Sequence, residues 1–410
     1  MPRRRFRSPL DLGRDESGQV FAIVAVALVV LLGMTGLVID LGHAYFVKRA
    51  LQASADAAAT AGATELPDAA AATATAHRYS GSRGGKNERP NVPGVATSVT
   101  AKCLSRAPCN PVNALVVRQS ADVKTLFARV LGINSLAVSA RATACSPCST
   151  RPLDVMLVLD RSGSMCWDHA GRPDPACADL NNAREGIQTF LRFMDPTLVS
   201  IGLAVFPPPL SGASACSKPP DYASYDNPSS PYVVVPLSAD YAVDGELVAS
   251  SSLVSTIACV AGGGGTSYAT AIDRAQAELD AHGRADVQDV VIFVSDGAAN
   301  YGPAYYGEGS PYRTQPCHQG ISSAAAVKAR DTLVYTIGYD LDALDGGANV
   351  CESIPGQLEQ PPISAYDTLR QIATDPKAFY NKPGPGELKT IFTEIASDVS
   401  GTRLIDDSES

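Results

Sequence analysis

The chain has 410 residues, enough for two or three domains, and 45% of them are hydrophobic against 18% charged, which excludes wholesale disorder. The formal net charge is −9, which argues against a protein built to grip nucleic acid. The mean hydropathy of +0.01 describes a soluble average that conceals one wholly apolar stretch.

That stretch is residues 20–39, uncharged throughout and broken only by Gly33, Thr35 and Gly36. A helix rises 1.5 Å per residue, so a run of this length covers about 30 Å, the hydrocarbon thickness of a bilayer. Arg3, Arg4, Arg5, Arg7 and Arg14 precede it; Asp40, His43, Lys48 and Arg49 follow. The positive-inside rule predicts that residues 1–19 are cytoplasmic and that the bulk is extracytoplasmic, in the periplasm or on the cell surface. A cleaved signal peptide has an apolar core of only about 7–15 residues, so an uncleaved single-pass signal anchor is expected. The helical pattern continues through Tyr45, Phe46, Leu51, Gln52 and an Ala-rich stretch to Leu66, where Pro67 stops it. Residues 40–66 therefore read as an extracytoplasmic extension of the anchor helix.

Residues 67–94 read as a linker, ending in the loop-forming SGSRGGKNERPNVPG at 80–94. Residues 95–148 read as a small α+β segment. Residues 95–101 alternate in polarity, 114–117 form a short apolar run, and Leu136, Val138, Ala140 and Ala142 alternate with polar neighbours, all strand signals. Between them Val123, Leu126, Phe127, Val130 and Leu131 follow the helical period, which predicts a helix. A long helix against a small sheet is similar to pilin architecture.

DESGQ at 15–19, the apolar run, DLGHAY at 40–45 and LQASADAAA at 51–59 together resemble the N-terminus of TadE/TadG-like Flp pilus-assembly proteins. FARVLG at 127–132 and VSARATA at 138–144 are similar to their outer segment. The resemblance implies a place in tight-adherence pilus assembly. Prepilins cleaved at such a segment carry a Glu soon after the cleaved Gly; none follows Gly18 within the apolar run.

All 10 cysteines lie beyond residue 39, as a disulfide framework in an exported body requires. Cys103–Cys109 and Cys166–Cys177 are the local pairs expected. Cys145 and Cys148 form a CSPC motif without a thioredoxin-like βαβ pattern or a second CxxC, so a structural disulfide is expected rather than redox chemistry or zinc. Other pairings stay open.

From residue 153 the pattern changes. Residues 153–160, 199–206, 287–295 and 333–338 read as buried strands, and 232–236 as an edge strand. Helix faces recur at Leu180, Ala183, Ile187, Phe190 and Leu191; at Leu247, Leu253, Val254 and Ile257; at Ile272, Ala275 and Leu279; and at Leu388, Ile391, Phe392, Ile395 and Val399. Strands alternating with helices predict a Rossmann-like, doubly wound α/β fold with a mainly parallel sheet covered on both faces. Ligands of such sheets bind beyond the carboxyl ends of the strands.

Three segments fall at such ends: DRSGSM at 160–165, GGGGTS at 262–267 and VSDG at 294–297. Each offers hard oxygen donors, and the alternation in Asp-x-Ser-x-Ser can turn three of them toward one centre. Oxygen donors alone suit Mg²⁺. Either Asp taken singly is as well explained by capping a helix or a turn.

The order, spacing and strand context of the three loops resemble the metal-ion-dependent adhesion site (MIDAS) of von Willebrand factor type A domains, over residues 153–400. The resemblance implies that Ser162 and Ser164 bind Mg²⁺ (or Mn²⁺ or Ca²⁺) directly, Thr266 directly or through water, and Asp160 and Asp296 mostly through water. It also implies a protein partner whose acidic side chain completes the shell. Two excursions flank the site: residues 166–177 with Trp167, Asp168 and His169, and residues 300–317 with Tyr301, Tyr305, Tyr306 and Tyr312. Both are expected at the rim, as partner-selecting surfaces or as stapled surface loops.

No G-x-S-x-G elbow and no G-x-x-x-x-G-K-[ST] phosphate loop occurs, and the 5 histidines are scattered, so an enzyme is not expected. The function predicted is adhesion or assembly: a membrane-anchored protein binding a protein or surface ligand through the metal site, with pilus-assembly components among the candidates. The alternative is a structural envelope component in which the metal site is only structural. Residues 401–410 read as an acidic, solvated tail.

Overall fold

The structure is a computed structural model and describes residues 17–92, 94–104, 112–148, 152–168, 172–217, 230–243, 245–302, 315–339, 341, 349–354, 356–382 and 387–405. The N-terminal arginines, Cys109, His169, Tyr305, Tyr306, Tyr312 and the acidic residues after 405 lie outside the described residues. The chain divides into two compact units, Met1–Ala58 with His77–Val99 and Val117–Ala142, and Ala59–Ala76 with Thr100–Val116 and Thr143–Ser410.

One helix, α1 (Ser17–Ala63, 47 residues), contains the apolar run and its extension. Its apolar N-terminal half stands exposed, and its length and composition are those of a candidate membrane span. Past that half, Asp40, Ala44, Val47, Leu51, Ser54, Ala55 and Ala58 are buried at intervals of three and four, one face of a helix. Mostly small side chains on that face let the backbone come close. Gln52 Nε2 donates to the carbonyl of Arg141 at 2.8 Å, which ties the helix to a strand.

The segment read as a linker contains a helix, α2 (Ala69–Arg78). Alanine content favours it, and Asp68 Oδ1 accepts the N–H groups of Ala70 and Ala71, both at 2.9 Å, which caps it. The following turns are held by Lys86 N–H to Arg78 O at 2.8 Å and Asn87 N–H to Ser80 O at 3.2 Å.

Strands β1 (Ala96–Lys102), β2 (Ala114–Lys124) and β3 (Ser135–Cys145) lie side by side. The helix expected over 123–131 is absent. Val123 belongs to β2, and only a single 3-10 turn, Ala128–Leu131, follows it. The period that suggested a helix arises because Leu126, Phe127, Val130 and Leu131 are exposed on a turn rather than buried on one face.

The α/β part runs β4 (Leu153–Asp160), α3 (Ala178–Phe193), β5 (Val199–Phe206), β6 (Val233–Ser238), the hairpin β7–β8 (Ala242–Val243, Glu246–Leu247), α4 (Ser252–Cys259), α5 (Ala269–His282), β9 (Gln288–Ser295), α6 (Pro316–Lys328), β10 (Leu333–Tyr339), the hairpin β11–β12 (Glu352–Ile354, Gln357–Leu358), α7 (Ala365–Ile372), β13 (Phe379–Lys382) and α8 (Leu388–Ser400). Its 6-stranded sheet has the order β13-β10-β9-β4-β5-β6. All neighbours are parallel except β6, which closes the edge antiparallel to β5. Alternate residues of β4 feed the two cores. Leu153, Val155, Leu157 and Leu159 pack with Leu180, Ile187, Phe190 and Phe392; Met156 and Val158 pack with Ile272, Leu279, Val327 and Leu369. That division is what a doubly wound sheet with helices on both faces requires.

Four disulfides are described. Cys145–Cys148 and Cys166–Cys177 match expectation; Cys216–Cys259 and Cys317–Cys351 had no local signal. Cys103 is disulfide-bonded as well. The start of the segment read as a tail is a strand, β14 (Arg403–Ile405), which pairs antiparallel with β3 through Arg403 opposite Cys145 and Ile405 opposite Thr143.

Candidate metal centre

Counted along the chain, the six strands stand in the order 3-2-1-4-5-6, which reverses direction between β4 and β9. The crevice beyond the carboxyl ends of those two strands is where open α/β sheets bind ligands. β4 ends in Asp160, and β9 ends in Ser295, followed by Asp296.

Asp160 is fully buried. Its Oδ1 accepts the Ser162 N–H at 2.7 Å, and its Oδ2 accepts the Ser295 hydroxyl at 2.6 Å. The hydroxyl oxygens of Ser162 and Ser164 lie 2.9 Å apart, and Ser164 donates to Asp296 Oδ1 at 2.8 Å. Two loops from different strands thus bring four of the expected donors together.

The third loop is docked onto both. Gly163 N–H donates to Gly264 O at 2.9 Å and Gly263 N–H to Arg161 O at 2.7 Å, which joins it to the first loop. Thr266 N–H donates to Asn300 Oδ1 at 2.7 Å, and Thr266 O accepts the N–H groups of Asn300 and Tyr301 at 2.9 and 3.0 Å. Thr266 is therefore fixed, 3% exposed, between the loops that carry the two carboxylates. The glycine run is needed here. Gly264 has φ +90°, and a Cβ at Gly265 would stand 1.9 Å from the Tyr301 ring.

The electrostatics are unbalanced. Burial pushes Asp160 up from 3.8 to about 6. Burial, and then the charge of Asp160, push Asp296 well above the ordinary carboxylate range. Neither carboxylate pairs with a cationic side chain among the described residues. Two buried carboxylates and three hydroxyl-bearing residues without a countercharge fit a small, hard divalent cation.

Ser295, Tyr268 and Asn300 are supporting residues that motif reading did not single out. Tyr268 hydrogen-bonds Ser295 Oγ at 3.0 Å and the Gly297 carbonyl, so a fully buried aromatic braces the end of β9. Beside the site lies a cavity of about 500 Å³ lined by Gly163, Trp167, Arg184, Gly262 and both the Cys166–Cys177 and Cys216–Cys259 disulfides. Trp167 is 50% exposed at its edge. Asp168 is engaged elsewhere, accepting from Arg172 Nε at 2.8 Å. Cys317, Cys351 and Glu359 also cluster, but the two sulfurs are bonded to each other and Glu359 accepts the Cys317 and His318 N–H groups.

Residues 18–65 match the Tad family model, Flp pilus-assembly TadE/G-like. No curated protein matches the chain. Among solved structures, the chain is similar to the vWF domain of the type V pili tip protein Mfa5 from Porphyromonas gingivalis, at 16% identity over 61% of this chain and 95% of that one, with a TM-score of 0.41. It is also similar to the pilus adhesin SpaC from Lactobacillus rhamnosus GG, at 14% identity over 76% of this chain and 35% of that one, TM-score 0.44. A third is proximal thread matrix protein 1 from the mussel byssus with a zinc-occupied MIDAS motif, at 15% identity over 62% and 47%, TM-score 0.37. The strand order and antiparallel edge, rather than these distant likenesses, carry the fold assignment. Residues 18–65 thus match a Tad-like Flp pilus-assembly segment, and the chain from residue 153 forms a doubly wound α/β sheet with one antiparallel edge strand.

Proposed function

We propose that this protein is a membrane-anchored, extracytoplasmic adhesin that binds an acidic group of a partner through a divalent cation, in Flp pilus assembly or cell adhesion. The observation that carries the reading is the pair of buried carboxylates, Asp160 and Asp296, at the switch point of the sheet without a countercharge. Ser162, Ser164 and Thr266 would hold the ion with them. A bound Mg²⁺, Mn²⁺ or Ca²⁺ supplies an electrophilic position for a carboxylate oxygen. Ser295 and the Ser162 N–H hold Asp160 in its rotamer, and Ser164 does the same for Asp296. Trp167 and the adjoining cavity offer amphipathic contact area for the rest of the partner. Residues 20–39 are read as the span, and the N-terminal arginines orient it with the body outside.

Calorimetric titration of the full chain in detergent tests the site. Mg²⁺ or Mn²⁺ should bind one to one, and Asp160→Ala should abolish binding. Undiminished binding by that variant would overturn the assignment.

A further inference from the structure

The turn between β2 and β3 exposes large apolar side chains in close succession. Leu126, Phe127, Val130, Leu131 and Ile133 are all exposed, and Val130 and Leu131 keep 85% and 79% of their surface accessible. Scattered apolar residues are normal on a soluble surface; a contiguous patch marks a contact.

The position of the patch identifies that contact. The Asp40 carboxylate accepts the N–H groups of Leu126, Phe127 and Ala128 at 2.7, 2.9 and 2.6 Å. The Phe127 ring lies over Gly36, where a Cβ would stand 2.7 Å from it. The turn is therefore fastened beside residues 36–40, the last helical turn of the apolar run and the residue that ends it. Polar and amphipathic groups occur at the same level. Arg129 and Lys124 are exposed on the turn and its strand, and Tyr45, Lys48 and Arg49 are exposed on α1 just past the run.

We infer that this turn is a second membrane contact, with Val130 and Leu131 entering the lipid layer beside the end of the span. The inference rests on the reading of residues 20–39 as membrane-spanning. Lipid is the occupant the geometry selects because the patch continues the exposed apolar surface of α1 itself. Asp40 suits that place, since its charge is met by three N–H donors rather than left bare at the edge of the hydrocarbon. Arg129 suits it as well, because a long apolar stem can lie along acyl chains while the guanidinium reaches headgroup phosphates. Anchoring at two points fixes the rotation of α1 about its own axis, which a lone span leaves free.

The test uses the full chain with Trp167→Phe, which removes its 1 native tryptophan. Single tryptophans are placed by Leu131→Trp, Val29→Trp and Arg118→Trp. Each chain is reconstituted in phosphatidylcholine–phosphatidylglycerol vesicles with dibrominated acyl chains, which quench tryptophan on contact. Position 131 should be quenched at least half as strongly as position 29 and several-fold more than position 118, which is exposed on β2. Quenching at 29 with position 131 no more quenched than 118 overturns the inference and leaves the span standing. Absence of quenching at 29 overturns both. A dimer in detergent that is lost in Leu131→Asp, with no quenching at 131, assigns the patch to a second copy and overturns the lipid contact.

Discussion

Asp160 is fully buried at the end of β4 and held near pKa 6 by burial. A carboxyl whose folded pKa lies above its unfolded value of 3.8 stabilises the fold in its protonated form. That contribution is complete below about pH 4 and is lost as pH rises through about 6, and Asp296 shifts in the same direction. In EDTA, the α/β transition should therefore melt lower at pH 7.5 than at pH 5, and Asp160→Asn should shrink the difference. Thermal melts at the two pH values check this, and a difference unchanged in Asp160→Asn would refute it. The same protons compete with a cation, so Mg²⁺ affinity should fall between pH 7.5 and 5.5. At this scale the sequence was informative where chemistry is contiguous: Asp160, Ser162 and Ser164 sit within five residues, and a loop with two donors leads straight into a helix. Ser295, Tyr268 and Asn300 were not legible, because each acts across a gap that only tertiary structure closes.

Among the elements, legibility followed apolar content. β4, β5, β9 and β10 are near-continuous apolar runs, as strands buried on both faces must be, and α3 and α8 carry broad apolar stripes. Helix α6 carries no readable signal because Ala, Ser and Gly make up 6 of its 13 residues, leaving no stripe of large residues to mark a face. The short α7 and β13 gave too few residues for a period. The turn at 128–131 misled in the opposite sense, offering helical spacing without a buried face. Its shape depends on Asp40, 88 residues away from Ala128 in the chain, which no local pattern reveals. Asp40→Asn weakens all three of these bonds by removing the charge that attracts the N–H groups. Amide hydrogen exchange at Leu126, Phe127 and Ala128 should accelerate in this variant, while amides of β4 stay protected. Unchanged exchange at those three positions would show that the turn is held by other means.

At the scale of the molecule, the candidate centre joins loops that follow β4, α4 and β9, so an occupant acts on the α/β fold as a unit. An ion that binds only the folded chain, at a hundred times its Kd, adds about 2.7 kcal/mol. For a domain of this size that raises Tm by roughly 5–10 °C. Differential scanning calorimetry with and without Mg²⁺ should show that rise in the native chain and none in Asp160→Ala. The overall architecture was readable because strand–helix alternation constrains connectivity, whereas β14, three residues beside β3, carries no signal of its own. The placement of β4 has a mechanical consequence. The proposed anchor precedes its first residue in sequence, while Asp160, its last, belongs to the candidate grip, about 23 Å farther along an eight-residue strand. Under the proposed anchoring and partner binding, a load entering the α/β fold along the chain runs lengthwise through β4, which is bonded along both edges to the parallel strands β5 and β9. Pulled between its two ends, β4 carries the tension in its covalent backbone, and the ladders to β5 and β9 keep it seated in the sheet without having to transmit the force.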